Sequence, residues 1–206
     1  KVFLNRDAAS RSFTVRNNGS SLIEITGSET PPYLSVKYPA RLVPGEKGTL
    51  LITYDARKRN TYGFVTERLV LKTTDPVNAE KQYPVFVTLE ESFSGISEEE
   101  RKNGPRMILG IEDLKFGEVA KSASLDKEIE FKNTGKRELI IRSLVSNCAC
   151  IMANAVPERI PAGGAGKIRL TFTPGERTGR QNKSVMVYCN DPERPVQRIT
   201  ISAIVR

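Results

Sequence analysis

The chain contains one sequence unit twice, and this repeat limits the possible folds more than any other feature. The segment FKNTGKRELIIRSLVSNCAC begins at Phe131, and its weaker copy VRNNGSSLIEITGSETPPYL begins at Val15. Each copy places an Asn-x-Gly turn before an apolar run, with Asn17 and Gly19 in the first copy and Asn133 and Gly135 in the second. A repeated unit of this length predicts two domains that share one fold.

Both halves consist of short apolar-alternating runs that are bounded by Gly, Pro, Asn and Asp. The runs are rich in Val, Ile, Thr, Phe and Tyr, and their spacing is typical of a β-sandwich. No segment keeps a helical period for three turns, so the chain is predicted to be all-β: two tandem immunoglobulin-like β-sandwiches joined by a short linker. The predicted strands are Ser12–Arg16, Ser21–Ile25, Thr49–Tyr54, Arg68–Lys72, Tyr83–Leu89, Glu128–Lys132, Glu138–Val145, Lys167–Phe172, Lys183–Tyr188 and Arg198–Val205.

A second kind of turn recurs in register with the first. Asp75-Pro76 in the first half matches Asp191-Pro192 in the second half. Proline fixes φ at its position, and the aspartate side chain can accept a hydrogen bond from the backbone that follows. These residues and the two Asn-x-Gly pairs are predicted to be structural turns.

The repeat predicts the domain boundaries. Residues 1–90 form one immunoglobulin-like domain, residues 105–206 form the other, and residues 91–104 form an exposed acidic linker. Within this linker Ser97 and Glu100 have the spacing of a capping box, which predicts a single helical turn.

The first domain is expected to lack its opening strand. Lys1-Val2 aligns with Glu118-Val119, and nothing in the first half corresponds to residues 110–117. We therefore expect the natural protein to extend upstream of Lys1, because removing a first strand leaves a sheet edge unpaired.

Composition argues against an enzyme. The chain has no histidine, which excludes Ser-His-Asp and Cys-His arrangements within it. The glycines at 163–166 lie in a turn between strands and not before a helix, so they do not form a phosphate loop. The net charge of +8 is spread along the sequence, which favours a solvated surface and no specific nucleic-acid partner. Binding to a polyanion through this charge is the alternative.

The cysteines mark a candidate site whose identity the residues leave open. If Cys148–Met152 is extended, Cys148, Cys150 and Met152 share one face of the strand. Cys189 ends a later strand and is expected to be their neighbour. The three cysteines could be buried fillers of a sandwich end. They could instead form a disulfide in an extracytoplasmic protein. A bond between Cys148 and Cys150 would close a very small, strained ring, whereas a bond from either of them to Cys189 would join two distant segments. The third interpretation is a soft-metal site, for example for Cu(I).

The second half resembles a known family. FKNTGKRELIIRSLVSNCACIMA, IPAGGAGKIRLTFTP, Gly179 and VMVYCNDPERP are similar to the bacterial domain-of-unknown-function 1573 family. Members of that family carry an Asn-x-Gly, a Ser-Cys-Gly-Cys-like element, a Pro-Gly turn and an Asn-Asp-Pro. The chain departs from this pattern at Ala149, where Gly is usual, and at Cys189, where Thr is usual. The first copy lacks both cysteines. More distantly, both halves are similar to the abnormal-spindle/Hydin and major-sperm-protein group.

The resemblance implies an immunoglobulin-like protein of the cell envelope of Bacteroidota, exported to the periplasm or attached to the outer membrane as a lipoprotein. It also implies that a bridge between the Cys-x-Cys element and Cys189 is more plausible here than in the family at large. The predicted function is a non-catalytic scaffold or protein-binding module without a cofactor, whose partner is another envelope protein or a longer assembly. Membrane attachment would occur only through an upstream lipid anchor. The alternative function is a redox or copper-binding protein that uses the Cys-Ala-Cys element.

Overall fold

A computed structural model describes every residue of the chain, from Lys1 to Arg206. It divides into two compact domains, Lys1–Ser92 and Phe93–Arg206. Both domains are built almost entirely from strands, so the predicted fold class is confirmed: the chain is all-β and forms two tandem immunoglobulin-like β-sandwiches. The two short helices present are too short and too polar to cross a membrane.

The first domain contains eight strands and one helical turn. Their bounds are β1 Val2–Phe3, β2 Ala9–Arg16, β3 Ile23–Glu29, β4 Leu34–Lys37, β5 Arg41–Leu42, β6 Lys47–Tyr54, α1 Ala56–Arg59, β7 Gly63–Thr73 and β8 Glu80–Glu90. One sheet has the order β1-β8-β7-β3-β5, and the other has the order β2-β6-β4. The short strand β1 runs parallel to β8 and pairs only with Leu89 and Glu90.

The second domain repeats this arrangement with longer opening strands. Its elements are α2 Glu98–Lys102, β9 Met107–Leu109, β10 Asp113–Val119, β11 Leu125–Asn133, β12 Leu139–Ser146, β13 Ile151–Val156, β14 Arg159–Ile160, β15 Ala165–Phe172, β16 Gly179–Cys189 and β17 Val196–Val205. The sheets have the orders β10-β17-β16-β12-β14 and β13-β15-β11-β9. Strand β10 runs parallel to β17, as β1 does to β8, but over six paired positions.

Alternating side chains explain why these strands form sandwiches. In β15, Ile168, Leu170 and Phe172 are buried in the core, whereas Lys167 and Arg169 point to the opposite, solvated face. Both basic side chains reach Glu128 on β11, at 2.7 and 2.9 Å. Burial of the apolar face sets the register, because a slip of one residue would turn the apolar side chains outward.

The segment predicted to be a linker contributes its helix to the second domain. Helix α2 begins after Ser97. Both hydrogen bonds of the expected capping box are present, since the side chains of Ser97 and Glu100 each accept from the backbone N–H of the other residue. Arg101 of α2 donates to the carbonyl oxygen of Pro192 at 2.7 Å. Five of the strands in each half correspond to predicted runs. The short strands β4, β5, β9, β13 and β14 and helix α1 were not predicted.

Candidate functional site

The Cys-Ala-Cys element is a disulfide-closed turn at one end of the second sandwich. Cys148 and Cys150 are bonded to each other, with their Cα atoms 5.1 Å apart. Residues 147–150 form a bend and a turn, and strand β13 begins only at Ile151. The turn is tied to its surroundings by backbone bonds from Ile151 N to Cys148 O and from Thr173 N to Cys150 O.

The other two sulfurs do not join this turn, which corrects the expected cluster. Cys189 pairs with Ile141, whereas Ser146, near the disulfide, pairs with Val185. The five residue steps from Ile141 to Ser146 span roughly 16 Å along the strand, which is beyond the reach of a disulfide. The Sγ of Cys189 contacts the carbonyl oxygen of Arg194 instead.

Met152 was expected to share a face with the two cysteines, and this expectation depended on an extended Cys148–Met152 segment. Because the segment turns before β13 begins, Cys150 is buried while Met152 is 64% exposed. The sulfur atoms of Met152 and Cys189 therefore do not join those of the disulfide in one cluster. No group of three or more histidine, cysteine or acidic side chains could hold a metal ion.

Shared backbone bonds show which residues of the first domain replace the cysteines. Leu34 N donates to Pro31 O, and Asp55 N donates to Tyr33 O, in the pattern of Ile151 and Thr173 around the disulfide. Tyr33 therefore stands where the second domain has Cys150, and Pro31 stands where it has Cys148. Direct alignment of the two segments that begin at Val15 and Phe131 puts Pro32 opposite Cys148 and Leu34 opposite Cys150, so it is shifted by one residue here.

A polar cluster closes this end of the first sandwich in place of the disulfide. The carboxylate of Glu67, itself buried, accepts from Tyr33 Oη at 2.8 Å, from Tyr54 Oη at 3.0 Å and from Arg59 Nε at 3.0 Å. The Arg59 guanidinium also lies 5.1 Å from the centre of the Tyr33 ring. Burial raises the pKa of Glu67, but the three hydrogen bonds and the charge of Arg59 outweigh it, so the pKa is lowered below 4.5.

Replacing Glu67 with Gln is expected to destabilise the first domain most near neutral pH. Because the folded-state pKa is lowered, the contribution of the carboxylate is complete above pH 4.5 and is lost as pH falls through the folded value. The difference in melting temperature between wild type and Glu67→Gln should therefore shrink below pH 4.5, as followed by calorimetry. Tyr54→Phe removes one of the three donors to Glu67, so its melting temperature should lie between those of the wild type and Glu67→Gln. A difference that stays constant with pH would contradict this explanation.

The predicted turn residue Asn133 holds its loop in place through hydrogen bonds of its side chain to the backbone. Asn133 Nδ2 donates to the carbonyl oxygens of Arg137 and Ile160 at 2.8 and 3.0 Å, and its Oδ1 accepts from Gly135 N and Arg106 N at 3.0 and 3.2 Å. Asn133 is completely buried. Because Arg106 precedes β9, this side chain anchors the opening strand as well as its own turn.

Asn17 makes the same turn contacts in the first domain, without a counterpart of Arg106. Its Nδ2 donates to Ser21 O and Leu42 O at 2.8 and 2.9 Å, and its Oδ1 accepts from Gly19 N at 2.9 Å.

The aspartates of the two Asp-Pro turns also differ between the domains, because only Asp191 contacts the opening strand β9. Asp191 Oδ1 accepts from the backbone N–H of Glu193 at 2.9 Å, and its Oδ2 accepts from Met107 N at 3.0 Å. Asp75 Oδ1 accepts from Val77 N at 2.9 Å, but its Oδ2 is paired with the ammonium group of Lys81. Pro76 and Pro192 follow these aspartates. The carbonyl oxygen of Pro192 accepts the hydrogen bond from Arg101 of α2.

Sequence reasoning missed an apolar groove between the two sheets of the first domain. The groove has a volume of about 420 Å³ and lies between edge strands β2 and β8. Phe13 is 51% exposed there, whereas Ile129, at the equivalent position of β11, is 1% exposed. Tyr83 of β8 is also exposed along the groove. The signal in the sequence was that nothing in the first half corresponds to residues 110–117.

Comparison with a solved bacterial protein agrees with this architecture. A protein of unknown function from Porphyromonas gingivalis W83 is 21% identical, with a TM-score of 0.66, and the match covers 98% of this chain and 93% of that one. The PapD-like domain 7 of human CEP192 is 14% identical, with a TM-score of 0.42, over 55% of this chain and 92% of that one. The CupB2 chaperone of Pseudomonas aeruginosa is 13% identical, with a TM-score of 0.31, over 96% of this chain and 93% of that one.

No curated protein matches the chain. The model of one family matches residues 109–205, which include the Asn-x-Gly turn, the disulfide turn and the Asn-Asp-Pro of the second sandwich. The predicted resemblance is thereby confirmed for this part of the chain. Residues 109–205 are similar to the family described as protein of unknown function (DUF1573).

Proposed function

We propose that this chain is a non-catalytic protein-binding module of the bacterial cell envelope, which acts as a scaffold for another envelope protein or a longer assembly. The observation that carries the proposal is a pair of aromatic side chains on the outer face of the first domain. Phe64 on β7 and Phe86 on β8 are each 65% exposed, and their rings stack with centroids 6.0 Å apart. Aromatic side chains, Phe among them, are enriched at protein–protein interfaces relative to the rest of the surface.

The chemistry of the disulfide supports the compartment. A bond between Cys148 and Cys150 persists in oxidising surroundings such as the periplasm, and such bonds are rare in the cytosol. This supports the proposal that the protein lies outside the cytoplasm, either in the periplasm or associated with the outer membrane as a lipoprotein.

Site-specific cross-linking in native cells tests this function. A photoreactive residue at Thr66, which is exposed and pairs across the strands with Phe86, should capture a defined partner. The double change Phe64→Ser and Phe86→Ser should abolish this product without unfolding the domain, because both side chains point to solvent. The matched control places the photoreactive group at Val156, an exposed position of the second domain. Capture that is absent, or that is equally strong at Val156 or in the double variant, would reject the proposal.

The disulfide also favours a second candidate, a thiol–disulfide redox protein. Cys148 is only half-buried, and it closes a ring with a residue two positions away. A redox protein should contain the dithiol form in cells and should interconvert with the bonded form. Alkylation before and after reduction, followed by mass measurement, distinguishes the candidates. A bond that remains fully oxidised in cell extracts rejects the redox function.

A further inference from the structure

A polar cavity lies on the outer face of the second sandwich, over strands β10, β17 and β16. Its volume is about 390 Å³, which falls within the range of about 300–1,000 Å³ that is usual for small-molecule sites. The residues that line it include Lys115, Gly117, Arg180, Asn182, Ser202 and Ile204. All of them belong to the second domain.

The register of the three strands places the polar side chains of this cavity side by side. Ser202 of β17 pairs with Lys115 of β10 on one side and with Asn182 of β16 on the other. Because neighbouring strands lie about 4.8 Å apart, these three residues form one row across the sheet. Arg180 lies two positions from Asn182 along β16 and therefore on the same face. One small molecule can span the area that the four side chains surround.

The row faces solvent and not the core of the sandwich. Leu114 and Phe116, on either side of Lys115, are buried in the core, and so is Ile201, which precedes Ser202. Alternation along each strand then directs Lys115 and Ser202 to the outer face. The four side chains are therefore available to a ligand without any movement of the core.

A glycine in a bulge opens the space beside this row. The pairing of β10 with β17 shifts register between Lys115 and Gly117, and Gly117 has a φ of +77°. A Cβ added at Gly117 would have no atom within 4 Å, so no side chain of the protein fills this space. The bulge thus turns a flat sheet face into a recess.

The polar groups of the recess have no partners within the chain. On the other sheet Lys167 and Arg169 both pair with Glu128. By contrast, the Lys115 ammonium group and the Arg180 guanidinium form no ion pair, and the side chains of Asn182 and Ser202 make no hydrogen bond within the protein. The recess therefore presents two positive charges and further hydrogen-bond donors to solvent.

The acidic residues of β10 do not neutralise these charges. Glu118 is paired with Arg206. Asp113 pairs with Thr200, two positions before Ser202 along β17, and it does not line the cavity. The lining thus carries two positive charges and no negative charge.

We propose that this recess binds a phosphate monoester, carried either by a small soluble molecule or by a lipid headgroup. A phosphate monoester has about two negative charges at neutral pH and three acceptor oxygens. It therefore matches both cations and can accept from the amide of Asn182 and the hydroxyl of Ser202. A carboxylate, with one charge, would leave one cation uncompensated. The exposed side chain of Ile204 offers an apolar contact to the carbon atoms of the ligand. This site is additional to the protein-binding function and does not depend on it.

Titration of the isotope-labelled full-length chain with glycerol 3-phosphate tests the site by NMR. The backbone amide signals of residues 115–117, 180–182 and 202–204 should shift saturably, and glycerol alone should not shift them. Co-sedimentation with phosphatidylcholine vesicles, with and without phosphatidic acid, distinguishes the two sources of the phosphate. Binding to glycerol 3-phosphate without binding to the vesicles identifies a soluble ligand, whereas binding that needs phosphatidic acid identifies a lipid headgroup.

Two exposed substitutions test which charges bind the phosphate. Lys115→Gln and Arg180→Gln each remove one charge-assisted contact and should weaken the binding of glycerol 3-phosphate at least about tenfold. Both variants should melt as the wild type does, because both side chains are exposed and unpaired. The matched control is Lys132→Gln, which removes the same charge from an exposed position of β11 in the other sheet. This control should bind as the wild type does.

Several results would overturn the phosphate site. These are a titration without saturation, an equal loss of binding in Lys132→Gln, and acetate that competes as effectively as glycerol 3-phosphate. The cross-linking experiment at Thr66 uses the first domain and the side chains of Phe64 and Phe86, so it reads the protein-binding function separately. Capture that persists in Lys115→Gln and Arg180→Gln would leave that function intact if the phosphate site fails.

Discussion

Replacing Asn133 with Ala is expected to lower the stability of the second domain by about 3–5 kcal/mol. The change leaves the buried carbonyl oxygens of Arg137 and Ile160 without their donor, and the N–H groups of Gly135 and Arg106 without their acceptor. Each unmet buried group costs about 1–3 kcal/mol, and some of them will gain water as the loop relaxes. The loss should appear as a lower unfolding midpoint of the second domain in calorimetry.

The first domain supplies a matched comparison for this result. Asn17→Ala removes the contacts to Ser21, Leu42 and Gly19 but no contact to an opening strand, so its cost should be smaller, about 2–3 kcal/mol. The neighbouring Asn18 is exposed, and its change to Ala should alter stability by no more than about 0.5 kcal/mol. A loss below about 1 kcal/mol for Asn133→Ala would show that the buried amide is not what fastens the turn to β9.

Gly135→Ala is expected to cost the second domain about 2–3 kcal/mol, although it adds only a methyl group. The new Cβ would approach the backbone of Pro105 and Arg106 to 2.6 and 2.5 Å, and the carbonyl oxygen of Gly104 even more closely. Because backbone atoms cannot move aside as a flexible side chain can, the segment that leads into β9 must shift. Thermal unfolding should show a lower midpoint, and hydrogen exchange should show faster exchange in β9.

The same substitution in the other repeat gives the control. The Cβ that Gly19→Ala adds would contact only the side-chain oxygen of Asn17, at 3.2 Å. The first domain should therefore lose no more than about 1 kcal/mol of stability. Equal losses at Gly19 and Gly135 would mean that the cost comes from the turn conformation and not from the packed strand.

Much of the fold could be predicted because it depends on local patterns. Alternating runs such as Lys167–Phe172 bury one face of a strand whatever the neighbouring strand is, so they indicate both the structure and its buried side. The turn residues Asn133 and Asp191 were also visible, since side chains of this type bond to nearby backbone. Short pieces such as β5 and β14 escaped prediction because two residues carry no period.

The site was harder to predict because it depends on which segments meet. Sequence reasoning grouped Cys189 with Cys148 and Cys150, but pairing of β12 with β16 places Cys189 at the far end of the strand from the disulfide. Met152 was assigned to the same face from an assumed extended backbone, and the turn at 147–150 invalidated that assumption. Strand register and turn geometry are tertiary properties that spacing along the chain does not contain.

The repeat by itself determined that the chain has two domains of one β-sandwich fold, because alternation and turn chemistry are local and recur in both halves. Only the tertiary structure decided how each sandwich is closed. The same end is held by the Cys148–Cys150 disulfide in the second domain and by the hydrogen bonds of Glu67 in the first. It also decided which side chains are covered, because burial depends on the strands that lie across them. That is why Phe13 is exposed while its equivalent Ile129 lies in a core.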